Sequence, residues 1–191
     1  MTQEIEIEFK NLLTPCEYNK LLTDIPFPIE AITQTNYYFE TKERTLQDLG
    51  SALRIRQKNG RYQLTLKQPH KHGLLETHDM LTETEAEACI HGEMVEKKAT
   101  AKQLKQLGID IHSLQCLGSL TTERRELQIE DILLVLDYSM YNGKADYELE
   151  LEATSQESGI DYFHKLLHKF GIPIRNTPNK IERFFTSLSL F

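Results

Sequence analysis

Glu4-Ile5-Glu6-Ile7-Glu8-Phe9-Lys10 alternates without a break: the even positions are three carboxylates and a lysine, the odd ones Ile, Ile and Phe. Successive side chains leave a strand on opposite faces, so this stretch is a strand with one ionic and one apolar face. Charge is sorted the same way further along the chain. In Leu53-Arg54-Ile55-Arg56-Gln57-Lys58 the three cations share a face. Asn59-Gly60, the strongest short-range hairpin signal, then sets Lys58 opposite Arg61, Arg56 opposite Gln63 and Arg54 opposite Thr65, with Lys67 on the same face. Asn142-Gly143 repeats the arrangement with opposite sign: Asp137 falls opposite Glu148, and Glu148, Glu150 and Glu152 share one side.

Like charges two apart on a strand sit about 7 Å from one another. Directly opposite, they destabilise by a few tenths to about 1 kcal/mol. One such strand is an ordinary solvated sheet face. Several, acidic and basic, call for counter-charges from outside the chain: divalent cations for the carboxylates and an oligoanion for the Arg and Lys side chains.

Further strands are predicted at Glu4–Lys10, Ala31–Glu40, Leu74–Leu81, Leu117–Ile129 and Ile181–Leu188, beside the hairpins Leu53–Lys58/Arg61–Lys67 and Leu133–Tyr141/Lys144–Glu152. Capping boxes open helices at Thr14, Thr82 and Thr100, and Ser158 to Phe170 carries an apolar helical stripe closed by Gly171. The fold class is α+β. About eight antiparallel strands are expected in the sheet; if eight such strands close into a barrel, their polar, charged faces line a wet tunnel, while Ile5, Ile7, Phe9, Leu53, Ile55, Leu64 and Leu66 point outward under amphipathic helices. With no repeat, low-complexity tract or composition shift, residues 1–191 read as a single domain.

The composition narrows the function. The 22 Lys and Arg against 29 Asp and Glu give a net charge of −7, and no basic run exceeds two residues, so duplex nucleic acid is not an expected partner. The longest aliphatic run, Ile132 to Leu136, is far short of the roughly 20 residues that cross a bilayer. The acidic start MTQEIEIEFK lacks a signal peptide's positive region. A cytoplasmic location with no membrane contact follows. Cys16, Cys89 and Cys116 read as free thiols, and His70/His72 and His164/His168 lack a third metal ligand nearby. No Walker-type loop is present, since Tyr138 stands where Gly143-Lys144 would need its first glycine. Nothing in the sequence sets the oligomeric state.

Glu6-x-Glu8-x-Lys10 resembles the ExExK signature of the CYTH superfamily, the triphosphate tunnel metalloenzymes. The likeness continues through Arg54-x-Arg56, Leu64-Thr65-Leu66-Lys67, Thr122-x-Arg124, Leu136-Asp137, Tyr147 to Glu152 and Asn179-Lys180. It implies an eight-stranded tunnel holding a small-molecule triphosphate with Mg²⁺ or Mn²⁺. Members of the family hydrolyse inorganic triphosphate, thiamine triphosphate, nucleoside triphosphates or RNA 5′ ends, and a minority cyclise ATP. Carried over, the resemblance makes Glu6 and Glu8 metal ligands, Glu148 and Glu150 their acidic partners, and Asp137 or Glu76 ligands to a second ion. Lys10, Arg54, Arg56, Lys67, Arg124 and Lys180 become the phosphate clamp, with Glu6, Glu8, Lys10 and Glu150 at the catalytic centre. Of the adjacent Arg124 and Arg125, only one can face the tunnel. Glu4 and Glu152 have the right parity but sit at strand ends, and Glu40 stands where many relatives carry Asp.

These residue types suit the chemistry on physical grounds. A triphosphate carries about four negative charges, and guanidinium groups fork onto two phosphate oxygens at once. Hard Mg²⁺ prefers carboxylate and phosphate oxygens. Phosphoryl transfer needs in-line positioning, charge neutralisation and an oriented water, activated by an ion or by a Glu or Lys general base. The expected activity is divalent-metal-dependent hydrolysis, with inorganic triphosphate the preferred substrate. Thiamine triphosphatase activity is a variant of that reading. An adenylate cyclase would use the same clamp to make cyclic AMP and pyrophosphate, and a non-catalytic polyphosphate-binding barrel would bind without turnover.

Overall fold

The computed structural model describes residues 3–188. Its elements are β1 (Gln3–Leu13), α1 (Pro15–Asp24), β2 (Ile32–Thr41), α2 (Thr45–Asp48), β3 (Ala52–Lys58), β4 (Arg61–His70), β5 (Gly73–Leu81), α3 (Glu83–Ile90), α4 (Lys98–Gln106), β6 (Leu114–Ile129), β7 (Ile132–Tyr141), β8 (Lys144–Ala153), α5 (Gln156–Phe170) and α6 (Lys180–Leu188). The strands form a closed barrel in the order β1-β5-β4-β3-β2-β6-β7-β8. No helix among the described residues is long and apolar enough to cross a membrane.

The barrel follows from the alternation. Both Asn-Gly turns have positive φ at both central residues, 52° and 69° at Asn59-Gly60 and 46° and 70° at Asn142-Gly143, the twist a two-residue hairpin needs. They fix the predicted registers: Arg54 faces Thr65, Arg56 faces Gln63 and Lys58 faces Arg61. Asp137 likewise faces Glu148.

The chain divides into two compact units. In the first, residues 3–5 with 34–120, Leu53, Ile55, Leu64 and Leu66 are fully buried against Ala86 and Cys89 of α3 and Leu104 of α4. In the second, residues 6–33 with 121–188, Leu134, Leu136, Leu149 and Leu151 pack with Leu21 of α1 and Phe163, Leu166 and Leu167 of α5. Each such side chain contributes about 1.5–3 kcal/mol by leaving water. The helices thus cover the apolar strand faces, and the charged faces turn inward.

Two predicted elements differ. Ile181–Leu188, expected as a strand, belongs to α6: Ile181, Phe184, Phe185 and Leu188 follow the helical i, i+3, i+4, i+7 rhythm. Its start is marked by Asn179, whose backbone amide donates to the Glu182 carboxylate at 2.9 Å, half of a capping box. The boxes at Thr14 and Thr82 are present as predicted. The helix assigned to a box at Thr100 instead begins at Lys98, and Lys97 provides no side-chain cap. Asp79 of β5 caps it from outside: its Oδ2 accepts from the Ala99 amide at 3.1 Å, the Thr100 amide at 2.7 Å and the Thr100 hydroxyl at 2.9 Å. A strand carboxylate at a helix start satisfies the orphan donors as a local cap would.

Candidate active site

In the first unit the cationic face of β3 and β4 is opposed by polar partners. Arg54 stands beside Tyr38 of β2 and Thr65 of β4, and Arg56 donates from Nε to the Asn36 carboxamide oxygen at 3.1 Å. Lys67 is opposite Glu76, with Nζ 2.5 Å from Oε1. Glu76 is buried, and two residues on, on the same face, lies His78. Its Nδ1 is 3.0 Å from the Thr65 hydroxyl, and its Nε2 is 3.1 Å from Glu4 Oε1 and 3.4 Å from Glu76 Oε2. Ligand atoms of Glu4, Glu76 and His78 lie within 4.8 Å of one another, a group able to hold a metal ion.

The second unit holds a denser ionic network. Register sets Lys10 of β1 opposite Glu150 and Glu8 opposite Glu152, while Glu148 is flanked by Leu12 and Asp137, and Asp137 by Arg124 of β6. Arg124 forks onto Asp137, Nε to Oδ1 at 2.9 Å and Nη2 to Oδ2 at 2.6 Å, and reaches Glu150 Oε2 at 2.7 Å. Lys180, the first residue of α6, sets its ammonium among three carboxylates: Asp137 at 2.9 Å, Glu148 at 2.5 Å and Glu150. One turn on, Arg183 pairs with Asp146 at 2.9 Å and Glu148 at 2.6 Å. Lys10 bonds Glu8 at 2.7 Å and the Asn179 side chain.

Burial and charge pull these groups in opposite directions. Burial works against the positive charge of Arg124 and Lys180, yet Asp137 with Glu150, and Asp137 with Glu148 and Glu150, outweigh it and hold both well above their ordinary values. Burial would raise Glu150, but Lys180 and Arg124 together keep it well below the usual carboxylate range. For Glu148 burial wins, helped by the neighbouring Glu150 charge, and pushes it up to about 7. Asp137 and Glu148 are fully buried on what the sequence marks as a polar face, an arrangement bearable only because each carboxylate meets a cation.

The structure decides between Arg124 and Arg125. Arg124 enters the ionic network, whereas Arg125 donates to the Tyr18 hydroxyl at 2.9 Å and the Ile29 carbonyl at 3.3 Å. Glu40 acts locally, its carboxylate accepting from the Leu46 amide at 3.0 Å and the Gln47 amide at 2.9 Å and so capping α2. Asp137, Glu148, Glu150 and Lys180 come together in one unit, and Arg54, Arg56, Lys67 and Glu76 share a face in the other. Arg183, Asp146 and His78 were not among the residues predicted to act. Read as a helix, Asn179-Lys180-Ile181-Glu182-Arg183 would have placed Lys180 and Arg183 together at i, i+3.

The strands form a closed antiparallel barrel, with carboxylates gathered on strand faces of one unit and guanidinium and ammonium groups on a strand face of the other. The chain belongs to the CYTH domain family, which matches residues 4–185. It is 46% identical over 186 residues, 97% of this chain and 96% of the other, to the Bacillus subtilis (strain 168) protein named "Putative triphosphatase YjbK". A crystal structure of a "putative adenylate cyclase" from Bacillus halodurans superposes with a TM-score of 0.93 at 39% identity, covering 97% of this chain and all of that one. HpAC1 of Hippeastrum, described as a "putative adenylyl cyclase" that reveals a dominant triphosphatase activity, gives 0.74 at 26% identity over 97% of this chain and 96% of that one.

Proposed function

We propose that this chain is a divalent-metal-dependent triphosphatase that hydrolyses a small triphosphate, inorganic triphosphate above all. The observation that carries the reading is the sorting of charge by strand face. Arg54, Arg56 and Lys67 gather on the hairpin of the first unit, and Asp137, Glu148 and Glu150 are buried together in the second. The names of the Bacillus subtilis and Hippeastrum relatives point the same way.

The donor set fits a hard divalent ion. Asp137, Glu148 and Glu150 offer only oxygen, the ligand that Mg²⁺ and Mn²⁺ prefer, and the three are at present neutralised by Arg124, Lys180 and Arg183. Glu6 and Glu8 would hold the ion with Glu148 and Glu150, and Asp137 or Glu76 a second one. When bound, the ion supplies charge neutralisation at the transferring phosphoryl group and lowers the pKa of attacking water. The rest falls to the chain. Arg54, Arg56, Lys67 and Arg124 bind and orient phosphate oxygens, Arg residues by their fork and Lys67 as a point charge. Lys10 and Lys180 stabilise the charge that accumulates as the anhydride bond breaks. We propose that all of residues 1–191 act as one such domain. We also place it in the cytoplasm, which suits the free thiols of Cys16, Cys89 and Cys116.

The names of the Bacillus halodurans and Hippeastrum relatives keep a second reading in play, in which the ribose 3′-hydroxyl of ATP replaces water as nucleophile. Product analysis separates the two. Purified protein is incubated with inorganic triphosphate, thiamine triphosphate and ATP, each with Mg²⁺, Mn²⁺ or chelator. Orthophosphate released from triphosphate only when the ion is present is the expected result. Cyclic AMP with pyrophosphate would replace it by the cyclase reading, and binding without turnover of any substrate would leave a non-catalytic polyphosphate barrel.

A further inference from the structure

His78 has no part in the phosphoryl-transfer reading, yet it is held as firmly as the residues that do. Glu76 and His78 are two apart on β5, so both side chains leave the same face. Thr65, directly opposite His78 on β4, is buried, and its hydroxyl lies 3.0 Å from Nδ1. That contact turns Nε2 toward the two carboxylates, Glu4 at 3.1 Å and Glu76 at 3.4 Å. We propose that Glu4, Glu76 and His78 form a site for a borderline divalent cation of the Zn²⁺ or Co²⁺ kind, different in ligand chemistry from the all-oxygen set of Asp137, Glu148 and Glu150.

Three features converge on this. The first is spacing. Bonds of about 2.0–2.2 Å around a tetrahedral ion put neighbouring ligand atoms about 3.3–3.6 Å apart. The observed separations of Nε2 from the two carboxylate oxygens are 3.1 and 3.4 Å, so an ion would enter with small side-chain adjustments. The second is the far side of the ring. A metal-binding imidazole donates its other N–H to a fixed acceptor, which sets tautomer and orientation, and the Thr65 hydroxyl occupies that place. The third is donor type. One imidazole with two carboxylates suits Zn²⁺ or Co²⁺, whereas Mg²⁺ favours oxygen alone in octahedral geometry. Three protein ligands leave the fourth position open to water or an anion. Lys67 Nζ, 2.5 Å from the other Glu76 oxygen, adds positive charge beside it.

The site would also fasten Glu4, whose side chain is 69% exposed near the start of β1, onto β5. Its occupancy does not depend on which triphosphate the barrel hydrolyses.

Zn²⁺ titrated into metal-free full-length protein by calorimetry, and Co²⁺ followed by visible absorption, test the proposal. Wild-type protein is expected to bind one ion at this site, with His78→Asn and Glu4→Gln each weakening it at least tenfold and His78→Asn altering the Co²⁺ spectrum. Thr65→Val should weaken it less. Glu4 is exposed, so Glu4→Gln keeps the test decisive should His78→Asn fold poorly, which circular dichroism reveals. No Zn²⁺ binding by the wild type overturns the proposal. So does equal binding by wild type, His78→Asn and Glu4→Gln, which would move the ion to an exposed pair such as His70 and His72, whose rings are 5.6 Å apart. Triphosphate turnover measured separately with Mg²⁺ tells failure of this site from failure of the hydrolase reading.

Discussion

Arg124 grips Asp137 through a two-bond fork and Glu150 through a single bond, and its burial makes it a structural cation. Arg124→Ala leaves the buried Asp137 with Lys180 alone, and breaking a buried pair from one side typically destabilises by about 3–5 kcal/mol. Chemical denaturation should show that loss, and Arg124→Lys should recover only part of it, because an ammonium cannot fork. Full recovery by lysine would mean that charge alone matters there. Glu17 illustrates a milder case. Its carboxylate closes the α1 capping box and accepts from Arg175 at 2.8 and 2.9 Å. The Arg175 bonds lower its pKa against the opposing pull of burial. A carboxyl lowered in the fold stabilises above its unfolded value of 4.5 and loses that contribution as pH falls through the folded value. Wild type should therefore exceed Glu17→Gln by about 1 kcal/mol near pH 7, and the two should converge as the pH falls below 4.5 and through the lowered folded value. A pH-independent gap in thermal midpoint would contradict this.

At the scale of elements, α5 depends on the absence of a side chain. Gly159 lies so close to β1 and β8 that an added Cβ would sit 2.5 Å from a Phe9 ring carbon and 2.8 Å from the Ala153 Cβ. Gly159→Ala gains about 1 kcal/mol of helix propensity but overpacks the contact by about 1–3 kcal/mol. We expect a net loss of up to about 2 kcal/mol in urea unfolding. Ile160→Ala, at an exposed neighbour, should change little, and a stabilised Gly159→Ala would show that α5 can shift outward. The strands are legible in the sequence because period-two alternation and two Asn-Gly turns fix face and register locally. The α4 start is not: Asp79 caps it from a strand some twenty residues earlier, and no local pattern records that. At α6, the spacing of Ile181, Phe184, Phe185 and Leu188 is helical, but it covers only two turns, and the Asn179/Glu182 contact that marks its start is half of a capping box. Without that helix Arg183 has no assignable partner in the sequence, although Lys180 is marked by its motif. Arg124 and Arg125 cannot be told apart by type, since only the partner strand and the covering helix distinguish them.

Over the whole molecule, the net charge of −7 conceals a sorting in which the buried carboxylates Asp137, Glu148 and Glu150 are each paired with a cation. Such a protein should gain stability when the ligands bring their own counter-charges, because anything that binds only the folded state adds about 2.7 kcal/mol at a hundred times its dissociation constant. For a chain of this length each kcal/mol moves the midpoint by about 2–4 °C, so a saturating complex of Mg²⁺ and a triphosphate analogue that resists hydrolysis should raise it by about 5–11 °C. Differential scanning fluorimetry of full-length protein measures this with ion alone, analogue alone and both together. The two ligands should exceed the sum of their separate shifts, because each neutralises charge that the other would meet. Glu6→Gln should remove the effect of the ion, and Lys67→Ala should shrink the effect of the analogue while leaving that of the ion. Equal shifts in both variants and the wild type would mean that neither strand face meets the ligand, and the assignment of these charges to a triphosphate would fall.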